Sequence, residues 1–469
     1  MTDSPPNGLS GAYRAVWRWH FYAGLFVLPV LMFLALTGAL YLFKPEIEDA
    51  ASRASATPQP KAPGPPPDAW AAAAETRLDG RALSVVVPAR ADRAVQVKVR
   101  TDEGEVTAFV NPHDARVQGT VRGDGLMGTV KRLHSLEFFG RPFNILVEVV
   151  AGWAIILVAT GLFLWWPRGR DVAVAAPRRG DPARRPFWRD LHAVTGLYAG
   201  LAIAFLAVTG MPWSAVWGDR VLNAMREGGW GRPEAPPAAG PWVHPGPHDR
   251  LVGTGWTLEG AALHAHGAGA PRLSRVVEAA KARALPAPYT VSIPTDPTLA
   301  WTVARATERA EDARSLYVDA RTGEVLADLR WSQFGSGAKA FEWGIAVHQG
   351  LQYGWANRIV MLGGCLAVWV LAISGLTMWW RRRPRRGGSG APPPPPGPRV
   401  RAAVLGIVLP LAILYPLTGL SLLAAFAVDR LATALAALRR SDPWGGGRRQ
   451  ESACCCPLPS TWSRLPRSS

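Results

Sequence analysis

Five apolar runs punctuate the chain, at about 16–43, 143–166, 191–217, 355–380 and 402–427. Each meets the roughly 20 apolar residues needed to cross a hydrocarbon core of about 30 Å, so each predicts a membrane-spanning helix. Between the first and second runs the pattern changes. AWAAAAETRLDG predicts a helix, and RAVQVKVR and EVTAFVNP alternate apolar and polar positions as half-buried strands do. The same change follows the third run. There PRLSRVVEAAKARAL predicts a helix and YTVSIP, AWTVARAT and SLYVDARTGEVLADL predict strands, with Thr322-Gly323 as a hairpin turn. The expected fold is a polytopic α-helical membrane protein, four duplicated spans plus a fifth, with two α+β domains outside the bilayer.

These patterns set the boundaries. An N-terminal tail occupies 1–15, the first span 16–43 and the first α+β domain 44–130; the second span with a pre-helix follows at 131–166 and a basic loop at 167–190. The third span covers 191–217, the second α+β domain 218–342 and the fourth span with its pre-helix 343–380. A basic Pro-rich loop (381–401), the fifth span (402–427) and a disordered tail (428–469) complete the chain.

The spans repeat. His20 is followed by Gly24-Leu25 and, 17 positions after the histidine, by Thr37-Gly38's threonine; His192 is followed by Gly196-Leu197 and, again after 17, by Thr209 of Thr209-Gly210. His134, Gly140, Gly161, Trp165 and Trp166 match His348, Gly354, Gly375, Trp379 and Trp380 at a constant offset of 214. The chain therefore reads as a tandem duplication of helix, domain, helix, and because each unit holds two spans both copies enter the membrane in the same orientation.

The net charge of +17 changes the topology and not the class. Arginines crowd the two short links, among them Arg168, Arg178, Arg184 and Arg189 in one and Arg381, Arg385 and Arg401 in the other. Short arginine-rich loops stay in the cytoplasm, which puts the N-terminus inside, sends both α+β domains outside and argues against a nucleic-acid partner. The first run reads as a retained helix and not a cleaved signal. Of the four cysteines, Cys365 lies in the fourth span and Cys454, Cys455 and Cys456 are adjacent, so no disulfide framework is expected.

The candidate chemistry is four histidines in two layers. His20 and His192 begin outward-running helices, near the inner face; His134 and His348 precede inward-running helices, near the outer face. Ionisable groups held at matched depth in repeated spans mark a functional site. Two neutral imidazoles from facing helices, one on each side of a flat macrocycle, are how a b-type haem is held in a bundle, so the expectation is two haem b per chain. Gly24, Gly196, Gly152 and Gly363 would let a ring approach the backbone. Arg14, Arg18 and Arg189 on one side, and Lys131, Arg132, Arg141 and Arg358 on the other, are candidates to receive propionates. A zinc or other metal site is the competing use of histidine, with only Glu137 and Glu148 near the outer pair to complete it. From His134 to Trp166 a continuous helix would run about 48 Å, longer than the core, so His134 and His348 are expected either above the membrane or on a broken, folded-back turn, which Gly140-Arg141-Pro142 permits in the first copy.

HxxxGL with a following TG in spans one and three, LHxLxxxG before span two, GLFLWWPR and GLTMWWRRR at the inner ends, and YVDARTGEVL in the second outer domain together resemble the PepSY-associated transmembrane proteins. The resemblance runs to about Asp429. It implies PepSY folds for both outer domains, a bacterial inner (cytoplasmic) membrane location, and axial haem ligation by His20, His134, His192 and His348. It also implies a di-haem oxidoreductase that reduces a ferric siderophore or other ferric chelate for iron acquisition. VNPHDARVQG in the first domain departs from the hairpin pattern of the second. No GxGxxG follows a strand, so the electron donor would be a quinol or a separate reductase. Two readings stand beside it: a PepSY-based binding or regulatory protein without redox activity, and a haem or iron permease.

Overall fold

Apolar runs with proline or glycine at their starts become four long helices. In the computed structural model, which describes residues 8–56, 64–166, 176, 181–245, 254–305, 307–382, 409–410 and 413–440, these are α1 (Gly8–Tyr41), α5 (Arg141–Trp165), α6 (Arg185–Gly210) and α10 (Gly354–Arg382). All four are long and apolar enough to cross a membrane. Pro142 and Pro186 sit in the first turns of α5 and α6, where a missing N–H costs nothing. This is why α6 begins at Arg185, ahead of the expected start at 191. The four helices form a closed ring, α1 against α5 and α10, and α6 against the same two. Ala35, Ile203, Cys365 and Val368 fill the middle of the ring, flanked by Leu31, Ala199 and Leu371.

Between α1 and α5 come α2 (Lys44–Ala56), α3 (Pro67–Leu78), strands β1 (Arg81–Val87), β2 (Val95–Thr101), β3 (Gly104–Val110) and β4 (Val117–Arg122), and α4 (Gly125–His134). Between α6 and α10 come α7 (Trp217–Glu227), α8 (Leu273–Ala282), β5 (Tyr289–Ser292), β6 (Trp301–Arg305), β7 (Arg314–Val318), β8 (Val325–Arg330) and α9 (Ser336–His348). The sequence predicts two separate α+β domains. The structure instead joins them into one antiparallel eight-stranded sheet, ordered β4-β3-β2-β1-β5-β6-β7-β8. The seam is β1 against β5, with Ser84 opposite Ser292 and Val85 opposite Val291. Val85, Val97 and Val99 from one half and Val276, Val291, Val303 and Leu316 from the other lie in one buried cluster. Two four-stranded sheets with exposed inner edges would each leave a row of unpaired N–H and C=O groups, and pairing them removes both edges.

Of the two placements open to the outer histidines, the structure shows a broken turn in both repeats. His134 ends α4, Leu136 takes a left-handed φ of 55°, a short 3-10 turn spans Glu137–Phe139, and Gly140 (φ 98°) lets α5 restart at Arg141. In the second repeat His348 ends α9 and two glycines with positive φ, Gly350 and Gly354, make the same turn before α10. Asn144 and Asn357, both buried, then donate side-chain N–H groups to the carbonyls of Ser135 and Val347 at 2.9 Å, tying each span to the histidine helix before it.

The fifth expected span lies partly outside the described residues, at 402–408 and 411–412. The helix that follows, α11 (Pro416–Arg440), has an apolar stretch over Pro416–Ala425 and runs well past the expected boundary at 427. LATALAALRR is almost wholly strong helix formers, so the segment expected to be disordered is helical to Arg440. The remaining tail with Cys454–Cys456, the arginines of 167–175, 177–180 and 383–408, and the polyproline run lie outside the described residues.

One sheet with one core should unfold as one unit. Val291→Ala, at the seam, is expected to cost about 1–3 kcal/mol and to lower amide-exchange protection in β2 and β6 together; protection lost in β6 alone would show two independent domains.

Candidate functional site

Each long helix carries a hydroxyl residue followed by glycine: Thr37-Gly38, Thr160-Gly161, Thr209-Gly210 and Ser374-Gly375. Each such pair receives one histidine. The His134 Nδ1 lies 3.0 Å from Thr37 Oγ1, His20 Nδ1 2.9 Å from Thr160 Oγ1, and His348 Nδ1 2.9 Å from Thr209 Oγ1. His192 Nδ1 lies 3.0 Å from Ser374 Oγ and 3.1 Å from the Leu371 carbonyl. The neighbouring glycine takes the ring. A Cβ built on Gly38 would stand 3.1 Å from the Cε1 of that histidine, tighter than ordinary contact, and one on Gly161, Gly210 or Gly375 would stand 3.4, 3.5 or 3.6 Å from it, in van der Waals contact with the ring.

The hydrogen bonds decide the tautomer. Thr37, Thr160, Thr209 and Ser374 each place their hydroxyl 2.6–2.9 Å from the carbonyl oxygen four residues back, on Phe33, Ile156, Phe205 and Val370. A hydroxyl has one proton and a carbonyl can only accept. That proton is therefore given to the helix backbone, and the bond to imidazole must be donated by Nδ1–H. The lone pair is left on Nε2, with the Nδ1 bond fixing ring orientation.

The four histidines meet in two pairs. The ring centroids of His20 and His192 are 6.3 Å apart, and those of His134 and His348 are also 6.3 Å apart. Each pair takes one histidine from each repeat, while each supporting hydroxyl lies in the same repeat as its histidine. A metal ion bound about 2 Å from one nitrogen of each of two opposed imidazoles separates the ring centroids by about 6 Å, which is the spacing found. Along α1 the two layers are 17 residues apart, or about 26 Å of helix.

His20 and His192 line an open cleft of about 160 Å³, walled by Trp17, Phe21, Gly24, Leu25, Leu28 and Trp379 among others. Of the glycines expected to admit a ring, Gly24 lines this cleft. Gly152 does not serve that purpose: a Cβ there would lie 2.0 Å from Thr418 Oγ1, so it makes room for the first turn of α11. Gly196 faces Leu371, and Gly363 has nothing within 4 Å.

The expected arginines divide differently. Arg18 stacks on Tyr22 and Arg189 pairs with Asp190 at 2.9 Å; the cations lining the cleft are Arg185 and Arg382. On the sheet side, Arg132 lies over Phe138, and Arg358 bonds Glu46 at 2.5 Å while stacking on Trp355, which holds the Glu46 carboxyl below its usual range. Of the carboxylates considered as extra metal ligands, Glu148 is fully buried and accepts the Trp217 N–H at 3.0 Å, at the positive end of α7. Among the described residues no three His, Cys, Asp or Glu side chains gather as a metal site, so each layer is a histidine pair.

The sheet domain is fastened to the helix that carries His348. Thr257 donates both its N–H and its hydroxyl to Glu342 Oε1 at 2.8 Å; burial nevertheless lifts the Glu342 carboxyl above its ordinary range. Gln352, beside the break, accepts the Ala310 N–H and donates to Glu311. Trp213 packs on the His348 ring at 6.2 Å. Sequence reasoning missed Thr160 and Ser374, although ATGLFLWW and ISGLTMWW repeat the hydroxyl-glycine pair already noted in α1 and α6.

A duplicated four-helix membrane protein, with two cross-repeat histidine pairs and a β-rich domain on one side, is the class that fold and site define. The chain belongs to the PepSY-associated transmembrane family, whose model, the PepSY-associated TM region, matches residues 17–382. No curated protein matches the chain.

Thr160→Val keeps the shape and removes the acceptor. In the metal-free protein, nitrogen NMR should show His20 protonated at Nδ1, and the variant should lose up to about tenfold of that tautomer preference, equivalent to one hydrogen bond. His134, His192 and His348 should keep theirs.

Proposed function

We propose that the chain is a transmembrane electron-transfer protein that holds two b-type haems, one between His20 and His192 and one between His134 and His348, and reduces ferric chelates such as ferric siderophores. The observation that carries this reading is the fourfold hydrogen-bond arrangement that keeps every Nε2 lone pair available in pairs spaced for one iron. A haem held by these histidines would supply one-electron chemistry between the ferric and ferrous states.

The residues of the chain do the rest. Thr37, Thr160, Thr209 and Ser374 hold the imidazoles in the ligating tautomer, and Gly38, Gly161, Gly210 and Gly375 set how deeply the rings seat. Ala35, Ile203, Cys365 and Val368 keep the space between layers apolar, so that charge crosses the bundle without a water path. In this reading the bundle sits in a bacterial inner membrane with its N-terminus in the cytoplasm and the sheet domain outside. The electron comes from a quinol or a separate reductase at the His20/His192 side. One electron converts Fe(III) in a chelate to Fe(II), whose softer character weakens its bonds to hard oxygen ligands.

Purified protein should show two b-type haems per chain, reduced by dithionite and reoxidised by a ferric siderophore. His192→Ala should lose one haem and keep the other, and Thr209→Val should move the midpoint potential of the His134/His348 haem only. A folded, haem-supplied preparation that stays colourless would refute the reading.

A further inference from the structure

The turn between α4 and α5 carries a surface patch that neither histidine layer uses. Leu136 and Gly140, both at positive φ, redirect the chain there. Phe138, Phe139 and Phe143 are 51%, 50% and 49% exposed, and their rings follow one another at centroid distances of 5.5 and 5.8 Å. Phenylalanine is usually buried, so three adjacent rings with half their surface open make a contiguous apolar patch and not scattered exposure. Three exposed cations belong to the same stretch: Lys131 and Arg132 in the last turn of α4, and Arg141 at the start of α5. From Lys131 to Phe143 the one acid is Glu137. The Arg132 guanidinium lies over the Phe138 ring at 5.6 Å, so basic charge and apolar surface are continuous.

The position of the patch says what it meets. Phe143 lies in the first turn of α5, a helix long and apolar enough to cross a membrane, and Trp166, 65% exposed, stands just beyond its other end. The two are 23 residues apart, about 35 Å of helix. A hydrocarbon core of about 30 Å set between them leaves the phenylalanines at the level of the headgroups. The matching turn of the second repeat is also aromatic: Phe139 corresponds to Tyr353 at the offset of 214, and Trp355 follows, both exposed. Its basic residue, Arg358, is bound by Glu46. Aromatic surface is thus common to both turns, whereas exposed positive charge is concentrated in the first.

We propose that the turn between α4 and α5 binds one anionic phospholipid from the leaflet nearer the sheet domain, its phosphate against Arg132 and Arg141 and an acyl chain along Phe138, Phe139 and Phe143. A zwitterionic lipid offers the same chains without net charge, and the basic excess of the turn matches an anionic headgroup. The inference is independent of the haem reading, since no histidine takes part.

Native mass spectrometry of the full-length protein in detergent, titrated with phosphatidylglycerol or with phosphatidylcholine of identical acyl chains, tests it. The wild type should retain one phosphatidylglycerol per chain in preference to phosphatidylcholine. R132Q/R141Q should bind phosphatidylglycerol about tenfold more weakly, the scale of losing two basic residues beside an anionic headgroup, and R132K/R141K should restore most of the binding. F138S/F139S should weaken both lipids alike, and Y353S/W355S, at the matching turn of the second repeat, should leave the preference intact. Equal retention of the two lipids by the wild type, or an undiminished preference in R132Q/R141Q, would overturn the site. So would displacement of phosphatidylglycerol by inorganic phosphate, which would make the turn a site for a free anion.

Discussion

One hydrogen bond, made four times, is the constraint on which the rest of the structure depends: a helix hydroxyl whose proton is committed to its own backbone accepts Nδ1–H from a histidine of another helix. A buried neutral imidazole has two tautomers and several ring orientations, and this bond selects one of each. The adjacent glycine matters for the same reason, because it lets the ring come close enough to the helix that a Cβ there would already touch it. Threonine or serine beside glycine is thus a small receptor for imidazole. Two receptors on α1 and α5, and two on α6 and α10, generate both layers.

The duplication follows from that chemistry. Within a repeat, the second span holds the histidine of the first, and the first holds the histidine at the end of the short helix before the second, so a repeat positions its own two histidines but supplies only one to each layer. Both layers are completed only across the repeat boundary, His20 with His192 and His134 with His348. Outside the bundle the same boundary is closed by β1 pairing with β5, which shares one sheet and one core between the repeats. The two halves are therefore joined both by apolar burial and strand pairing in the sheet domain and by the packing of α5 on α6 and of α1 on α10 in the bundle, where the histidines align. Thr257 with Glu342 and Gln352 with Glu311 connect the two regions at α9 and the break that follows His348.

Much of this was legible from residues. Four of the spans follow from length and apolarity, the register of the repeats from fixed offsets, and the break after His134 from the mismatch between a 32-residue helix and a bilayer. The pairing of histidines followed from which way each helix runs. The arginines were not legible in the same way. Arg18 stands two residues before His20, 200° around the helix, and so points elsewhere; Arg189, three before His192, is taken up by Asp190. Arg185 precedes His192 by seven residues, two helical turns, and so shares its face. Arg382 comes from another helix and could be placed only once the bundle was assembled. Gly152 misled for a related reason: glycine signals close approach without saying what approaches.

By itself the sequence determined the elements whose causes are local or periodic: apolar length for the spans, alternation for the strands, proline and glycine for the helix starts and breaks, and repetition for the duplication and the four histidines. Only the tertiary structure decided that two domains are one sheet, that Thr160 and Ser374 complete the set of hydroxyls, and that Arg185 and Arg382 flank one cleft. Those facts depend on which edges and faces meet. Edge pairing and helix rotation are settled by burial summed over many distant residues, and no stretch of the chain carries that sum on its own.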